Sequence, residues 1–238
     1  MAQAIHCCKP EDSFYPIELK NIAKPPEILY YVGSMDFINQ NKNVAVIGSR
    51  RMSEAGAKLA YAAGRMVGEA GFHLVNGLAV GCDTEALKGA LSAGGKCIAI
   101  LPCGLEQIVP QSNRRLAEKI VESGGCLLSE YPEGTGIKRF RYVERDRLQS
   151  GISQGVFVVE AEQSSGTMHT ASFAIQQYKR LACYHHKLLE LSSGNKQLEE
   201  KGQAKVIKNT DDFKRFLQDI SEEISYEQMA LQDIYVVD

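Results

Sequence analysis

The chain has 238 residues, of which 44% are hydrophobic and 24% charged, and its formal net charge is −2. This apolar content is sufficient for one sizeable core, and the near-neutral balance means that a nucleic-acid ligand would need positive charge concentrated locally. The seven cysteines include no CxxC pair, which argues against a cysteine zinc site, and no apolar run approaches the roughly 20 residues of a membrane helix, so we expect a cytoplasmic protein without a metal.

Residues 1–40 are predicted to form an extended lead-in on the edge of the domain, because paired prolines interrupt their short apolar pieces. Six short apolar runs then alternate with amphipathic segments and are predicted as strands: 43–48, 72–79, 96–101, 126–131, 155–161 and 181–185. Continuous apolar strands between helices indicate a parallel sheet covered on both faces. We therefore predict an α/β fold, a doubly wound, mostly parallel, Rossmann-like sheet in a single domain over 41–209. Residues 210–238 are predicted to form a C-terminal helical tail that Thr210 caps.

Ligands of such sheets bind beyond the carboxyl ends of the strands, so the loops there are the candidate site. The first loop contains Gly48, Ser49 and Arg50. Gly48 permits a sharp turn, the amides of the following helix suit an anion, and Arg50 can hold a phosphate with two hydrogen bonds. The alternative is a turn glycine followed by a solvated arginine.

The second and third loops supply further candidates. Gly77 and Gly81 bracket a tight loop before Asp83, which caps the next helix or positions a ligand. Gly104 permits close backbone approach, and Asn113 either lines the site or only caps the helix after it.

The segment after the fourth strand is the most basic part of the chain. Its basic residues are Lys138, Arg139, Arg141, Arg145 and Arg147. Phe140 and Tyr142 lie between them, which is typical of a track that holds a phosphate backbone and stacks bases. The alternative is a solvated charged face.

The loop after the fifth strand is rich in serine and glycine. Ser165, Gly166 and Thr167 precede a predicted helix, so their backbone amides could cradle a phosphate. His169 has no serine or cysteine partner at a recognisable spacing and is interpreted as lining the site or the core. We therefore predict no catalytic residue, no cofactor and no enzymatic activity.

In their order, these motifs resemble the DprA/Smf family of bacterial DNA-processing proteins. The similar segments include VAVIGSR, NGLAVGCDTEALKGAL, IAILPCGLEQIVPQSN, LLSEYPEG, RDRLQSGIS and VFVVEAEQSSGTMHTASFA, and they run from about Tyr15 to Ile207. The resemblance implies an extended Rossmann-like domain that binds single-stranded DNA, acts as a homodimer and helps to load a RecA-type recombinase. It also implies that Arg50 contacts a DNA phosphate.

Some positions depart from the pattern of the family. Tyr142–Arg147 stands where the family has Phe-Pro-x-Arg-Asn-Arg, so that Glu144 and Asp146 add negative charge. Asp146 is expected either to pair with a neighbouring arginine or to cap the helix. Ser164 replaces a common lysine, and His185-His186 stand near a usual Pro-Gly. Two other functions stay open: a nucleotide-binding sensor or phosphoribohydrolase-like relative, and a structural dimer without a ligand.

Overall fold

The structure is a computed structural model that describes residues 4–40 and 42–234, with only the backbone described for 223–234. In this part of the chain, nine strands form one sheet: β1 (His6–Cys8), β2 (Leu29–Gly33), β3 (Asn43–Ile47), β4 (His73–Asn76), β5 (Cys97–Ile100), β6 (Cys126–Ser129), β7 (Gly155–Val158), β8 (Arg180–Tyr184) and β9 (Lys205–Ile207). The α-helices are α1 (Glu54–Glu69), α2 (Cys82–Ser92), α3 (Arg114–Glu122), α4 (Arg139–Gly151), α5 (Thr167–Gln176), α6 (Ser193–Glu200) and α7 (Thr210–Ile234).

The sheet order is β1-β2-β6-β5-β4-β3-β7-β8-β9, and every pairing from β6 to β9 is parallel. All six apolar runs predicted as strands form β3 to β8, which confirms the doubly wound, mostly parallel fold. The chain order reverses at β3, since β4 pairs on one side of it and β7 on the other. The carboxyl ends of β3 and β7 therefore open a crevice of the kind that holds ligands in such sheets.

Both faces of the sheet are buried. Along β3, Val44 and Val46 belong to one hydrophobic cluster, while Ala45 and Ile47 belong to another on the opposite face. The first cluster includes residues of α1, α2, α3 and α7, and the second includes residues of α4, α5 and α6. Because successive side chains of a strand alternate between faces, a strand covered on both sides is apolar throughout, as the sequence pattern indicated.

The N-terminal segment contributes two strands that the sequence analysis did not predict. β2 pairs antiparallel with β6, and β1 pairs antiparallel with β2, so this segment extends one edge of the sheet. Tyr15 and Leu19, between the two strands, are buried on the sheet face that carries α4 to α6. Residues 1–3 of the predicted lead-in lie outside the described residues, and the boundaries at 40 and 209 stay predictions.

The cap of α7 differs from the prediction. Asn209, not Thr210, accepts a hydrogen bond from the backbone amide of Asp212 at 2.9 Å, and the Asp212 carboxylate accepts one from the Lys208 amide at 3.0 Å. These reciprocal bonds satisfy amides that would otherwise be unpaired at the start of the helix. Residues 235–238 of the predicted tail lie outside the described residues. Within those that are described, no helix is both long and apolar enough to cross a bilayer.

Candidate functional site

An open pocket of ≈ 450 Å³ lies at the crevice between the carboxyl ends of β3 and β7. Its walls come from the turn after β3, the beginning of α4 and the loop that leads into α5. The pocket brings together seven of the residues that the sequence predicts for the site: Gly48, Ser49, Arg50, Arg145, Ser165, Gly166 and Thr167. The other six do not line it: Gly77, Gly81, Gly104, Asn113, Lys138 and Arg147.

The turn after β3 is tied to the end of β7. The Ser49 backbone amide donates to the Glu160 carbonyl at 2.7 Å. A Cβ on Gly48 would lie 2.6 Å from the Cys82 Sγ, so only glycine allows this close approach. The Ser49 hydroxyl donates to the Arg51 carbonyl at 2.5 Å and accepts from the Arg51 amide at 3.1 Å. Ser49 therefore shapes the turn, and its hydroxyl is not free to donate to a ligand in this state.

The N-terminus of α1 already holds an anion. The side chain of Glu160 is completely buried, and its carboxylate accepts hydrogen bonds from the Ser53 amide at 2.7 Å, the Ser53 hydroxyl at 2.9 Å and the Leu191 amide at 3.0 Å. Ser53 in turn caps the helix by accepting from the Gly56 amide at 2.9 Å. A carboxylate is stabilised at this end of a helix. The expectation that a ligand phosphate would lie on the α1 amides is therefore wrong, because Glu160 occupies that position.

Arg50 is exposed at the rim of the pocket. Its guanidinium lies 4.9 Å from the centre of the Tyr142 ring, a cation–π contact that orients the side chain without neutralising it. Arg51, its neighbour, also lines the pocket but pairs with Glu162 at 3.5 Å through an 86% exposed side chain. Exposed pairs of this kind are weak, so both guanidinium groups remain available to an anion.

The start of α5 lines the same pocket as Arg50. Gly166 occupies its N-cap position without a side-chain cap hydrogen bond, and a Cβ added to Gly166 would meet no atom within 4 Å. The Ser165 hydroxyl is buried without a hydrogen-bond partner. Since buried polar groups are nearly always paired, this hydroxyl and the uncapped helix end together mark a place where an anion would be stabilised.

The floor of the pocket is a buried charge network. Arg145 is 4% exposed, donates to the Ile100 carbonyl and pairs with Asp146 at 3.2 Å. Asp83 accepts from the Gly77 amide at 3.0 Å. Burial raises the pKa of Asp83 to about 6, although Arg145 and the backbone amides favour its ionised form, and burial also raises the pKa of Asp146.

This network corrects the prediction for Arg145 and decides between the two predicted roles of Asp146. Arg145 was expected to contact DNA, but its guanidinium is held inside the protein beneath the pocket. Asp146 pairs with that arginine and accepts from the Gln149 side-chain amide at 2.8 Å, so the pairing role is confirmed. It does not cap α4, because that helix begins at Arg139.

Three predicted residues contact parts of the protein that line or adjoin the pocket, without lining it themselves: Gly77, Gly81 and Asn113. Gly81 has a φ of 86°, and a Cβ there would lie 2.8 Å from the Arg50 Cα, so this glycine backs the Ser49–Arg50 turn. A Cβ on Gly77 would collide with the guanidinium of Arg145. The Asn113 side-chain amide donates to the Leu78 carbonyl and to the Thr84 hydroxyl, both at 2.8 Å, and makes no capping bond. Asn113 therefore fixes the loop after β4, a role that neither prediction covered.

The last three predicted residues do not line the pocket. Gly104 donates its amide to the Thr135 carbonyl at 3.0 Å and joins two loops. Arg147 forms a two-bond ion pair with Glu130, with N–O distances of 2.8 and 2.6 Å, and donates to the Lys24 carbonyl at 3.0 Å, so its charge is already compensated. Lys138 is exposed immediately before α4, beside the pocket residue Arg139.

Sequence reasoning missed Glu160 and Arg51. The signal for Glu160 was present, since a single carboxylate ends the apolar run GVFVVEA and a buried charge requires partners. Arg51 had no separate signal, because an exposed arginine after a turn is ordinary.

The family model and the curated relatives point to one family. The family model for DNA recombination-mediator protein A matches residues 6–218. Protein Smf of Synechocystis sp. is 37% identical over 168 residues, which cover 69% of this chain and 42% of that protein. DNA processing protein DprA of Streptococcus pneumoniae is 35% identical over 202 residues, covering 84% of this chain and 70% of that protein. This chain thus spans less than half the length of the first relative.

A solved structure gives the same result in three dimensions. DNA processing protein A from Helicobacter pylori superimposes with a TM-score of 0.82 at 27% identity, covering 93% of this chain and 98% of that one. The sequence match over most of the chain and the shared fold lead to one assignment. The chain belongs to the DNA recombination-mediator protein A family, also called DprA or Smf.

Proposed function

We propose that the protein binds single-stranded DNA in the pocket between β3 and β7, as a DNA-processing protein. The Helicobacter pylori relative was described for its single-stranded DNA binding mode, and the family model carries the description of a recombination mediator. Neither names a nucleotide as the ligand. The sensor or phosphoribohydrolase-like alternative is therefore not favoured.

One observation carries the proposal: two separate features that suit an anion line the same pocket. Arg50 presents an exposed guanidinium. At the start of α5 the Met168 and His169 amides donate to the Ser165 and Gly166 carbonyls at 3.1 and 3.0 Å, so what remains for an anion is the positive end of the helix dipole beside the unpaired Ser165 hydroxyl. Each suits a phosphate, the first through charge-assisted hydrogen bonds and the second through the helix dipole. We assign successive phosphates of one strand to these two features.

The rim supplies both positive charge and aromatic surface. Arg50, Arg51 and Arg139 are exposed, whereas Asp83 and Asp146 are buried at the floor, so a ligand on the rim meets the cations first. Phe140 is 55% exposed at the start of α4, and Tyr142 lines the pocket. Aromatic faces stack on any base, which gives binding with little sequence preference.

We further propose that the protein acts by binding, without a covalent step, as a homodimer that helps a RecA-type recombinase onto the bound strand. The description of the family as a recombination mediator supports this role. Incubation with nucleoside monophosphates should then release no free base. Release of a base that Ser165→Ala or Thr167→Ala abolishes would contradict this part.

Fluorescence anisotropy with a labelled oligonucleotide tests the binding. We expect tighter binding of single strands than of the matching duplex, with log affinity falling linearly against log salt as phosphate contacts require. Nucleoside monophosphates should compete poorly. Equal affinity for single strand and duplex, or displacement of the oligonucleotide by low concentrations of a mononucleotide, would overturn the proposal.

A further inference from the structure

We propose that His185, His186 and Glu199 form a binding site for a divalent transition-metal ion of the Zn²⁺ type. One carboxylate oxygen of Glu199 lies 2.7 Å from the Nδ1 of His186 and 3.0 Å from the Nδ1 of His185. One ligand atom from each of the three residues lies within 4.8 Å of the other two. Two imidazoles and a carboxylate form a donor set that zinc uses in proteins, with the fourth position left to water.

The distances are close to those that a metal needs. Zinc binds imidazole nitrogen and carboxylate oxygen at about 2.0–2.2 Å, so tetrahedral ligand atoms lie about 3.3–3.5 Å apart. The present N–O separations of 2.7 and 3.0 Å are those of hydrogen bonds. Small side-chain rotations that move these atoms apart by a few tenths of an ångström would admit an ion. The three side chains are 19–25% exposed, so water and metal can reach them.

The backbone that carries these residues is fixed by contacts of its own. The His185 amide donates to the Ile207 carbonyl of β9 at 2.9 Å, and the His186 carbonyl accepts from the Ser192 hydroxyl at 2.8 Å. Asn195, one turn before Glu199 in α6, donates to the carbonyls of Tyr184 at 3.0 Å and Val159 at 2.9 Å. The end of β8 and the helix α6 are thus held together before any ion binds. Such preorganisation lowers the free energy that ordering the ligands would cost.

An ion at this site would join α6 to the end of β8. The same helix supports the pocket, because the Asn195 side chain accepts from the Ala161 amide at 2.9 Å and the Ser193 hydroxyl accepts from the Gln163 amide at 2.9 Å. The proposal does not rest on DNA binding, since the three ligand residues lie outside the pocket lining. Its expected effect is on stability.

Calorimetric titration of the full chain with Zn²⁺ tests the site, in a Cys7→Ser background that removes the one exposed cysteine among the described residues. We expect one equivalent of Zn²⁺ to bind and to raise Tm. Loss of an indirect partner of a metal ligand commonly weakens metal affinity by about 10–100-fold, so loss of a direct ligand in His186→Ala or Glu199→Gln should weaken it by at least about 100-fold. Glu200→Gln is the matched control, because Glu200 is the next residue of α6 and its exposed side chain forms a loose ion pair with Lys196 at 3.6 Å.

Circular dichroism of the same variants shows whether they fold, and the partial exposure of the changed side chains leads us to expect that they do. If a ligand variant does not fold, His185→Gln with the same titration replaces it. Absence of Zn²⁺ binding by the Cys7→Ser protein would mean that Glu199 merely bridges two imidazoles. Unchanged affinity in both His186→Ala and Glu199→Gln would place the ion elsewhere. Either result overturns the proposal.

Discussion

The buried carboxylate of Glu160 holds the start of α1 through Ser53, accepting from its amide at 2.7 Å and from its hydroxyl at 2.9 Å. This contact crosses from the end of β7 to the helix that follows β3, so it fixes the two walls of the pocket relative to each other. The position that a phosphate takes in many Rossmann-like folds is therefore filled from within, which is why we assign the proposed phosphate contacts further out, to Arg50 and α5.

Glu160→Gln should destabilise the fold. The amide nitrogen of glutamine would face donors, and the charge-assisted bonds, typically about 1.5–3 kcal/mol each, would be weakened. We expect the free energy of unfolding, measured by urea denaturation, to be about 2–3 kcal/mol lower than that of the parent. Glu162→Gln is the control and should change it by less than about 0.5 kcal/mol, because its pair with Arg51 is exposed. Equal stability of Glu160→Gln and the parent would contradict the assigned role.

Gly166→Ala should separate folding from binding. The backbone at Gly166 is helical, with φ −58° and ψ −27°, and its missing side chain points into open space. The variant should therefore keep the parent's Tm within a few degrees, yet bind single-stranded DNA more weakly because a methyl group stands before the α5 amides. Gly81→Ala, where φ is positive and the Arg50 backbone is close, should instead lose stability. Undiminished DNA affinity in Gly166→Ala would remove the α5 terminus from the site.

Asp146→Asn tests the charge at the floor of the pocket. Asparagine keeps an acceptor oxygen for the Gln149 amide but removes the charge opposite the buried guanidinium of Arg145, so the variant should lose some stability, and circular dichroism checks that it folds. The potential at the pocket becomes more positive, and single-stranded DNA should bind a few-fold more tightly at low salt. The gain should shrink as salt is added, since screening acts beyond about 10 Å at 0.1 M. If affinity at low salt equals that of the parent, the DNA path lies away from Asp146.

Asp83 should make stability depend on pH. Its pKa in the folded protein is raised from 3.8 to about 6 by burial, so between pH 4 and 6 the native state holds a proton that the unfolded chain has released. The contribution of Asp83 to stability therefore falls as pH rises through this range, by up to about 3 kcal/mol, and is constant above it. Urea unfolding at pH 4.5 and 7 measures the change. The free energy of unfolding at pH 7 minus that at pH 4.5 should be larger in Asp83→Asn than in the parent, because the variant lacks the group that favours low pH. If this difference is the same in both proteins, the assignment is contradicted.

The sheet and the pocket at its switch point were predictable because they follow from local patterns. Apolar runs between amphipathic segments predicted β3 to β8, and the rule for parallel sheets predicted a ligand pocket near Gly48, Arg50 and Gly166, which line the pocket that the structure contains. β1 and β2 were not predicted, because short antiparallel edge strands carry little periodicity.

The roles of individual polar residues were less predictable, because they depend on partners far along the chain. Asn113 binds Leu78 and Thr84, and Arg145 donates to Ile100, contacts that no local spacing reveals. Residues two positions apart on a helix point about 200° apart, so Arg145 and Arg147 could not both face one ligand. The sequence therefore predicts that the two arginines point in different directions. It does not predict which of them is buried and which pairs with Glu130.

Titration of Arg50→Ala with a labelled single-stranded oligonucleotide tests the central claim most directly. Arg50 is exposed, so the variant should fold as the parent does, and loss of one phosphate contact should weaken binding by about 1–3 kcal/mol, roughly 5- to 150-fold, for every sequence. Arg50→Lys should restore part of this loss, because a single ammonium cannot reproduce the planar fork. Arg65→Ala, which removes an exposed arginine of α1 outside the pocket, should leave affinity nearly unchanged. Binding by folded Arg50→Ala as tight as that of the parent and of Arg65→Ala would contradict the account.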